Sequence, residues 1–195
     1  IDLDPKNESY QIRLLQIYER LGNDTEEYLS AINVAREHIP SSKEIIRHQI
    51  NYYIGIDEKE ALKNSLYIAV EKDSLNLDLH LALATTLHLL NEFNNAKDSY
   101  KKAIALDSDC FDAHYGLAAI LFNNEVEDLR VKINNSNSSK KIKSLKQKRK
   151  EILNSIKPIL EECVRLQPEN IQVLDWLKRV YYMTQDMDNM RRVKA

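Results

Sequence analysis

The chain has 195 residues and a formal net charge of -2, and at 43% hydrophobic content it can bury a continuous core. Its 3 glycines and 4 prolines suit a chain that is helical nearly throughout. No apolar run reaches the roughly 18 residues of a membrane span, which excludes an integral helical membrane protein.

Taken in order, Ile1 to Asn7 is a short partial unit that reads like the tail of a repeat, and it matches Ile104 to Asp109 and Leu166 to Asn170 in kind. With no initiator Met, a fragment of a longer chain is the expectation. Residues 8–42 form the first full cycle. Leu14, Leu15 and Tyr18 line its first helix, Gly22 ends it, and Tyr28, Ile32 and Ala35 line its second. The Asn23-Asp24-Thr25 connection carries one extra residue, which a loop tolerates cheaply. Residues 43–76 repeat the pattern with Ile46, Ile50 and Tyr53, then Leu62, Leu66 and Ala69. Gln49 stands where Leu is usual. Residues 77–110 are the clearest cycle. Leu79, Leu83, Leu87 and Leu90 recur at helical spacing, followed after a polar break by Phe93, Ala96, Tyr100, Ala103 and Ile104.

The fourth cycle, 111–170, is 60 residues long, 26 more than its predecessor. Its ends are regular, so the extra residues form an insertion at about 124–153. Asn134 to Ser139 is a polar turn at the centre of that insertion. Val126, Leu129 and Ile133 before it, and Ile142, Leu145, Ile152 and Ile156 after it, keep helical spacing. The expectation is that both helices of the cycle are prolonged into a projecting antiparallel hairpin. Pro158 removes an amide donor, so a kink or a break just before it is expected. Residues 171–195 open a fifth, partial cycle with Leu174, Leu177, Tyr181 and Tyr182, then Met190 and Val193.

The recurrence of 34 residues resembles the tetratricopeptide repeat. Leu83-Ala84-x2-Leu87 and Ala96-x3-Tyr100-x2-Ala103 carry the likeness, with His80 in the aromatic slot and Ser108 in the proline slot. The steric reason is that Ala84 and Ala96 let paired helices approach, while Ala103 makes room for the next first helix. Residues 111–195 are similar to a narrower group of such proteins common in Bacteroidetes, through Asp112 to Asn123, Lys157 to Cys163, Leu166 to Asn170, Leu177 to Tyr181 and Asp186-Met187. The resemblance implies an all-α, right-handed superhelical solenoid with one projecting helical hairpin, spanning 1–195 as a single domain. It also implies a binding role without catalysis, and favours an exported, periplasmic location over the cytoplasm.

Candidate chemistry is sparse. His80 and His114 stand 34 apart at equivalent places, which marks a structural slot, while His38, His48 and His88 fall elsewhere. No His-x3-His or Cys-x2-Cys spacing exists, so neither a metal nor any other cofactor is expected. There is no glycine-rich phosphate loop, no Gly-x-Ser-x-Gly and no isolated acid pair, and no enzyme is expected. Cys163 occupies a small-residue slot, so a buried thiol is the plain reading. Cys110 begins the partner helix, which leaves a disulfide as the alternative.

Function must then rest on surfaces. In the repeat that the chain resembles, the first helices line a concave groove for a peptide or protein. By position these residues include Arg47, Asn51, Ile54, Leu81, Thr85, His88, Tyr115, Ala119, Phe122, Asn123, Arg179 and Tyr182. Tyr115, Phe122 and Tyr182 are the expected anchors, since aromatics carry interface energy. A clamp for a C-terminal carboxylate is incomplete: Arg47 and Asn51 fit it, but Ala82, Asp112 and Gly116 stand where Asn and two cations are needed. The expected function is a protein-interaction scaffold, with self-association through the solenoid ends as the alternative.

A second surface is electrostatic. Asn123 to Lys157 carries 10 Lys/Arg against 4 Asp/Glu, a net +6, which leaves -8 elsewhere. Lys140, Lys141, Lys143, Lys146, Lys148, Arg149 and Lys150 form a basic finger suited to an acidic partner or anionic surface. No aromatic interleaves them, which argues against nucleic acid.

Overall fold

The computed structural model describes residues 6–22, 25–56 and 58–193, without the side chain of Ile54. The tail at Ile1 to Pro5, the Asn23-Asp24 part of the first connection and the groove position of Ile54 therefore lie outside what is described. Every described element is helical. Two compact units divide the chain, Ile1–Leu106 and Asp107–Ala195.

The N-terminal unit holds α1 (Glu8–Leu21), α2 (Glu26–His38), α3 (Lys43–Gly55), α4 (Lys59–Lys72), α5 (Leu77–Leu89) and α6 (Phe93–Leu106). Helix starts are set by side chains that satisfy the first free amides. Asn7, Thr25 and Asn76 accept from amides inside α1, α2 and α5, and the Ser42 hydroxyl from Ile45. α1, α3 and α5 pack on one another in order, while α2, α4 and α6 form the second layer against them.

The reason for this layering is visible in burial. In the second helices Ala35, Ala69 and Ala103 are all buried, as are Ile32, Leu66 and Tyr100, each set 34 residues apart. In the first helices Gln11, Ile45 and Leu79 form another such set, and so do Leu15, Gln49 and Leu83. The same places therefore always face inward, and each buried Leu or Ile contributes roughly 1.5–3 kcal/mol.

The C-terminal unit holds α7 (Phe111–Ala119), a π-helical segment (Ile120–Val126), α8 (Glu127–Asn134), α9 (Ser139–Leu166), α10 (Ile171–Met183) and α11 (Met187–Arg192). The chain stays helical through Ala119 and Glu127, so α7, the π segment and α8 form one rod. α9 returns along that rod, capped by Ser138. Val126, Leu129, Leu153 and Ile156 are buried between the two, and Ile133, Ile142 and Leu145 are half-buried further out. α9 runs unbroken through Pro158, so no break precedes it. Pro158 and Asn154 are both exposed, and Pro158 leaves the Asn154 carbonyl without its usual amide donor.

Candidate functional site

On the first-helix layer of the N-terminal unit, Arg47 is exposed and paired with Glu44 at 2.6 Å, and Asn51 is exposed one turn on. α5 contributes Leu81, Thr85, His88 and Leu89, spaced to share one stripe. Leu89 is 52% exposed, Leu81 is half-buried, and the Thr85 hydroxyl lies 3.5 Å from that of Tyr100. The His88 ring sits edge-on to Phe93 and Tyr100, and burial lowers its pKa, which favours the neutral ring. This stripe mixes leucines with the polar Thr85 and His88 and carries no full charge of its own.

The same unit contains a cluster that sequence reasoning missed. His48 is buried, with Nδ1 2.7 Å from the Tyr28 hydroxyl and 3.5 Å from Glu19. Tyr28 also meets Tyr52 edge-on and stacks with Tyr18, so α1, α2 and α3 share one aromatic junction. Burial lowers the His48 pKa against the pull of Glu19, and burial with the Glu19 charge pushes the Tyr28 phenol up to about 12. The only sequence signal was an aromatic crowding across Tyr18, Tyr28, Tyr52 and Tyr53.

The C-terminal unit builds a different surface. Phe111, Tyr115, Trp176 and Phe122 stack in series, with ring centres 5.4–5.7 Å apart and planes within 22°. The Arg179 guanidinium covers the far end, 4.7 Å from the Phe122 ring centre, and reaches Glu127 at 3.4 Å and Asp175 at 3.9 Å. Phe122 is only 1% exposed, which corrects its place among the groove anchors: it lies in the core beneath Trp176 and Arg179. Ala119 is buried too. The physical cause is that Trp176 and Arg179 of α10 cover the ring while α9 packs against the π segment that carries it. Tyr115 is half-exposed, Asn123 exposed, and Tyr182, one turn beyond Arg179, is 67% exposed. Trp176, the lone tryptophan, went unremarked in the sequence although it stands three residues before Arg179.

The histidine slot is real in both units. His80 Nε2 donates to the Ser74 carbonyl at 2.9 Å, and His114 Nε2 donates to that of Ser108 at 2.9 Å. Each ring ties its helix to the turn six residues back. No group of histidine, cysteine and carboxylate side chains able to hold a metal occurs among the described residues. Cys110 and Cys163 are both buried free thiols. Among the described residues no helix is long and apolar enough to cross a membrane.

The basic finger lies on the outer half of α9. Lys140, Lys141, Lys143, Lys146, Lys148 and Lys150 are exposed and Arg149 is half-buried. Across the hairpin, Arg130 and Lys132 pair with Glu127 and Asp128 of their own helix.

A family model described as TPR repeat, the tetratricopeptide repeat, matches residues 84–124. No curated protein matches the sequence. Among solved structures the chain is similar to MamA, at TM-score 0.64 and 15% identity over 95% of this chain and 87% of that one. It is also similar to a protein from Bacteroides ovatus ATCC 8483 described as a candidate protein-binding protein, at TM-score 0.55 and 13% identity over 92% and 98% of the two chains. A third is a monomeric IFIT1 mutant bound to m7Gppp-AAAA, at TM-score 0.61 and 14% identity over 98% of this chain and 42% of that one. At these identities the likeness is one of fold. None of the matches singles out the subgroup that residues 111–195 resemble.

Proposed function

From the premise that this chain is built of tetratricopeptide repeats, we propose that it is a non-catalytic scaffold. It captures a polypeptide segment on the first-helix face of its C-terminal unit. The observation that carries this is the aromatic face around Tyr182, which is 67% exposed beside Arg179 on α10. An exposed aromatic on the helix that also carries Trp176 and Arg179 is the arrangement that anchors a partner at low entropic cost. Tyr115, at the half-exposed part of the stack, is the second anchor. Asn123 supplies an exposed amide for backbone groups of a bound chain. The α5 stripe with Arg47 and Asn51 offers the N-terminal unit a separate, more polar contact surface. The likeness to the Bacteroides ovatus protein agrees with a protein-binding role.

The experiment is quantitative capture of partners by the wild type and by the Tyr115→Ala/Tyr182→Ala double variant. Loss of about tenfold or more in captured partner, with an unchanged thermal midpoint, is the expected result. Equal capture by the double variant removes the face from the proposal. Phe122→Ala serves as a control, because its effect falls on folding first.

A second reading is self-association. It is favoured by a depression on α1 and α2 lined by Tyr10, Leu14, Tyr18, Ala31 and Val34. Light scattering on the intact chain separates the readings, since only self-association raises the mass with concentration.

A further inference from the structure

The hairpin of the C-terminal unit carries a second interaction surface that the aromatic face does not use. Lys140, Lys143, Lys146 and Lys150 line one trough along the outer flank of α9, together with Ile142 and Gln147. Lys143, Lys146 and Lys150 stand at i, i+3 and i+7, so their ammonium groups form a single row. Lys141 and Lys148 belong to the opposite flank and do not line the trough.

These cations are uncommitted. Among the described residues, none from Lys140 to Lys150 makes an ion pair, whereas Lys43, Lys63, Lys132, Lys157 and Arg165 each hold a carboxylate at 2.7 Å or less. Among the described residues of the finger, the neutral Gln147 amide donates to the Glu151 carboxylate at 2.9 Å. A row of exposed like charges costs repulsion in the free chain, and an anionic partner relieves it.

The geometry points to an acidic polypeptide helix as the occupant, laid along this trough with carboxylates at the same i, i+3, i+7 spacing. Three observations favour it over other polyanions. The trough is lined by lysine stems, with Ile142 at its edge toward α8, and these stems match the methylenes of Glu side chains as well as their charge. Ile142 and Leu145 are half-buried toward α8, so α9 has no free apolar face to insert into a bilayer. No aromatic occurs between residues 127 and 166, so no aromatic platform for nucleobases stands there.

The test uses the intact chain and a fluorescein-labelled peptide of three Glu-Ala-Ala-Glu units, read by fluorescence anisotropy. Two variants carry equal charge changes, Lys143→Glu/Lys150→Glu on the trough and Lys141→Glu/Lys148→Glu on the other flank. Circular dichroism confirms that both fold, as fully exposed positions allow. Expected are binding that weakens with added salt, a loss of about tenfold in the trough variant and a change of about twofold or less in the other. Equal losses in the two variants overturn the trough in favour of a diffuse field. Tighter binding of oligothymidylate of matched charge, or of phosphatidylserine vesicles, overturns the acidic helix as occupant, and no peptide binding at low salt overturns the proposal outright. The Tyr115→Ala/Tyr182→Ala variant should bind the peptide normally, which keeps this outcome separate from that of the aromatic face.

Discussion

Burial pushes the Cys163 thiol up to about 12, and its side chain has no contact with solvent. In the native protein it should therefore not react with Ellman's reagent at pH 8, while a denatured sample titrates both thiols. Replacement by Ala should be mild, about 1 kcal/mol or less, because Ala35, Ala69 and Ala103 fill the same place in α2, α4 and α6. Ser there should cost more, since a buried hydroxyl needs a partner. His48 has the opposite sign. Its folded pKa lies below 6.5, so its neutral state contributes stability that is complete above that pH and is lost as pH falls through the folded value. Urea midpoints should drop between pH 7 and 5, ahead of the carboxylates Glu92 and Asp186, whose depressed values place their loss lower. His48→Gln should flatten that limb, and His48→Gln/His88→Gln should flatten it further. A limb unchanged in both variants assigns the titration elsewhere. Ala84, Ala96 and Ala103 were legible as close-packing sites because a repeat prints its steric rules at fixed intervals. Phe122 was not, because the residues that cover it, Trp176 and Arg179, lie more than 50 positions on in the chain.

At the scale of elements, the turns after α5 and α10 are built alike. Asn91 and Gln185 have φ of 60° and 63°, and the next amide in each bonds to a carbonyl five residues back. Asn tolerates this left-handed conformation, whereas Gln gains nothing from it. Gln185→Gly should raise stability by about 1 kcal/mol, seen as slower hydrogen exchange in α11. The Lys157–Asp186 pair and the Tyr181 hydroxyl on Glu161 hold that corner to α9. The hairpin's two arms were readable from spacing. The π segment was not, since nothing in Ile-Leu-Phe-Asn-Asn-Glu-Val departs from an ordinary helical composition. Its register is set by Phe122 under Trp176 and by Val126 and Leu129 facing α9, contacts far apart in sequence. Phe122→Ala should accordingly cost roughly 3–5 kcal/mol in denaturant unfolding.

For the whole molecule, far-ultraviolet circular dichroism should show helix and no measurable strand, and a substantial strand signal would contradict the fold. Deleting Asn135 to Lys150 and rejoining the hairpin should leave the thermal midpoint within a few degrees. The removed stretch contributes half-buried Ile142 and Leu145 but no fully buried side chain. The architecture was legible at this scale because a repeat states its pattern several times and errors in one copy are corrected by the others. Surface function has no such redundancy, and a single exposed Tyr182 or a single lysine row appears once only.

The hairpin should also make the polypeptide bond at its tip dispensable. Residues 135–138 join two helices whose buried contacts, from Val126 and Leu129 to Leu153 and Ile156, lie below the tip. A protein cut there into two separately expressed halves has its recognition code already written in the fourth repeat. Reassembly of those halves can be coupled to a split fluorescent or enzymatic reporter, which turns the helical insertion of the fourth repeat into a site for fragment complementation.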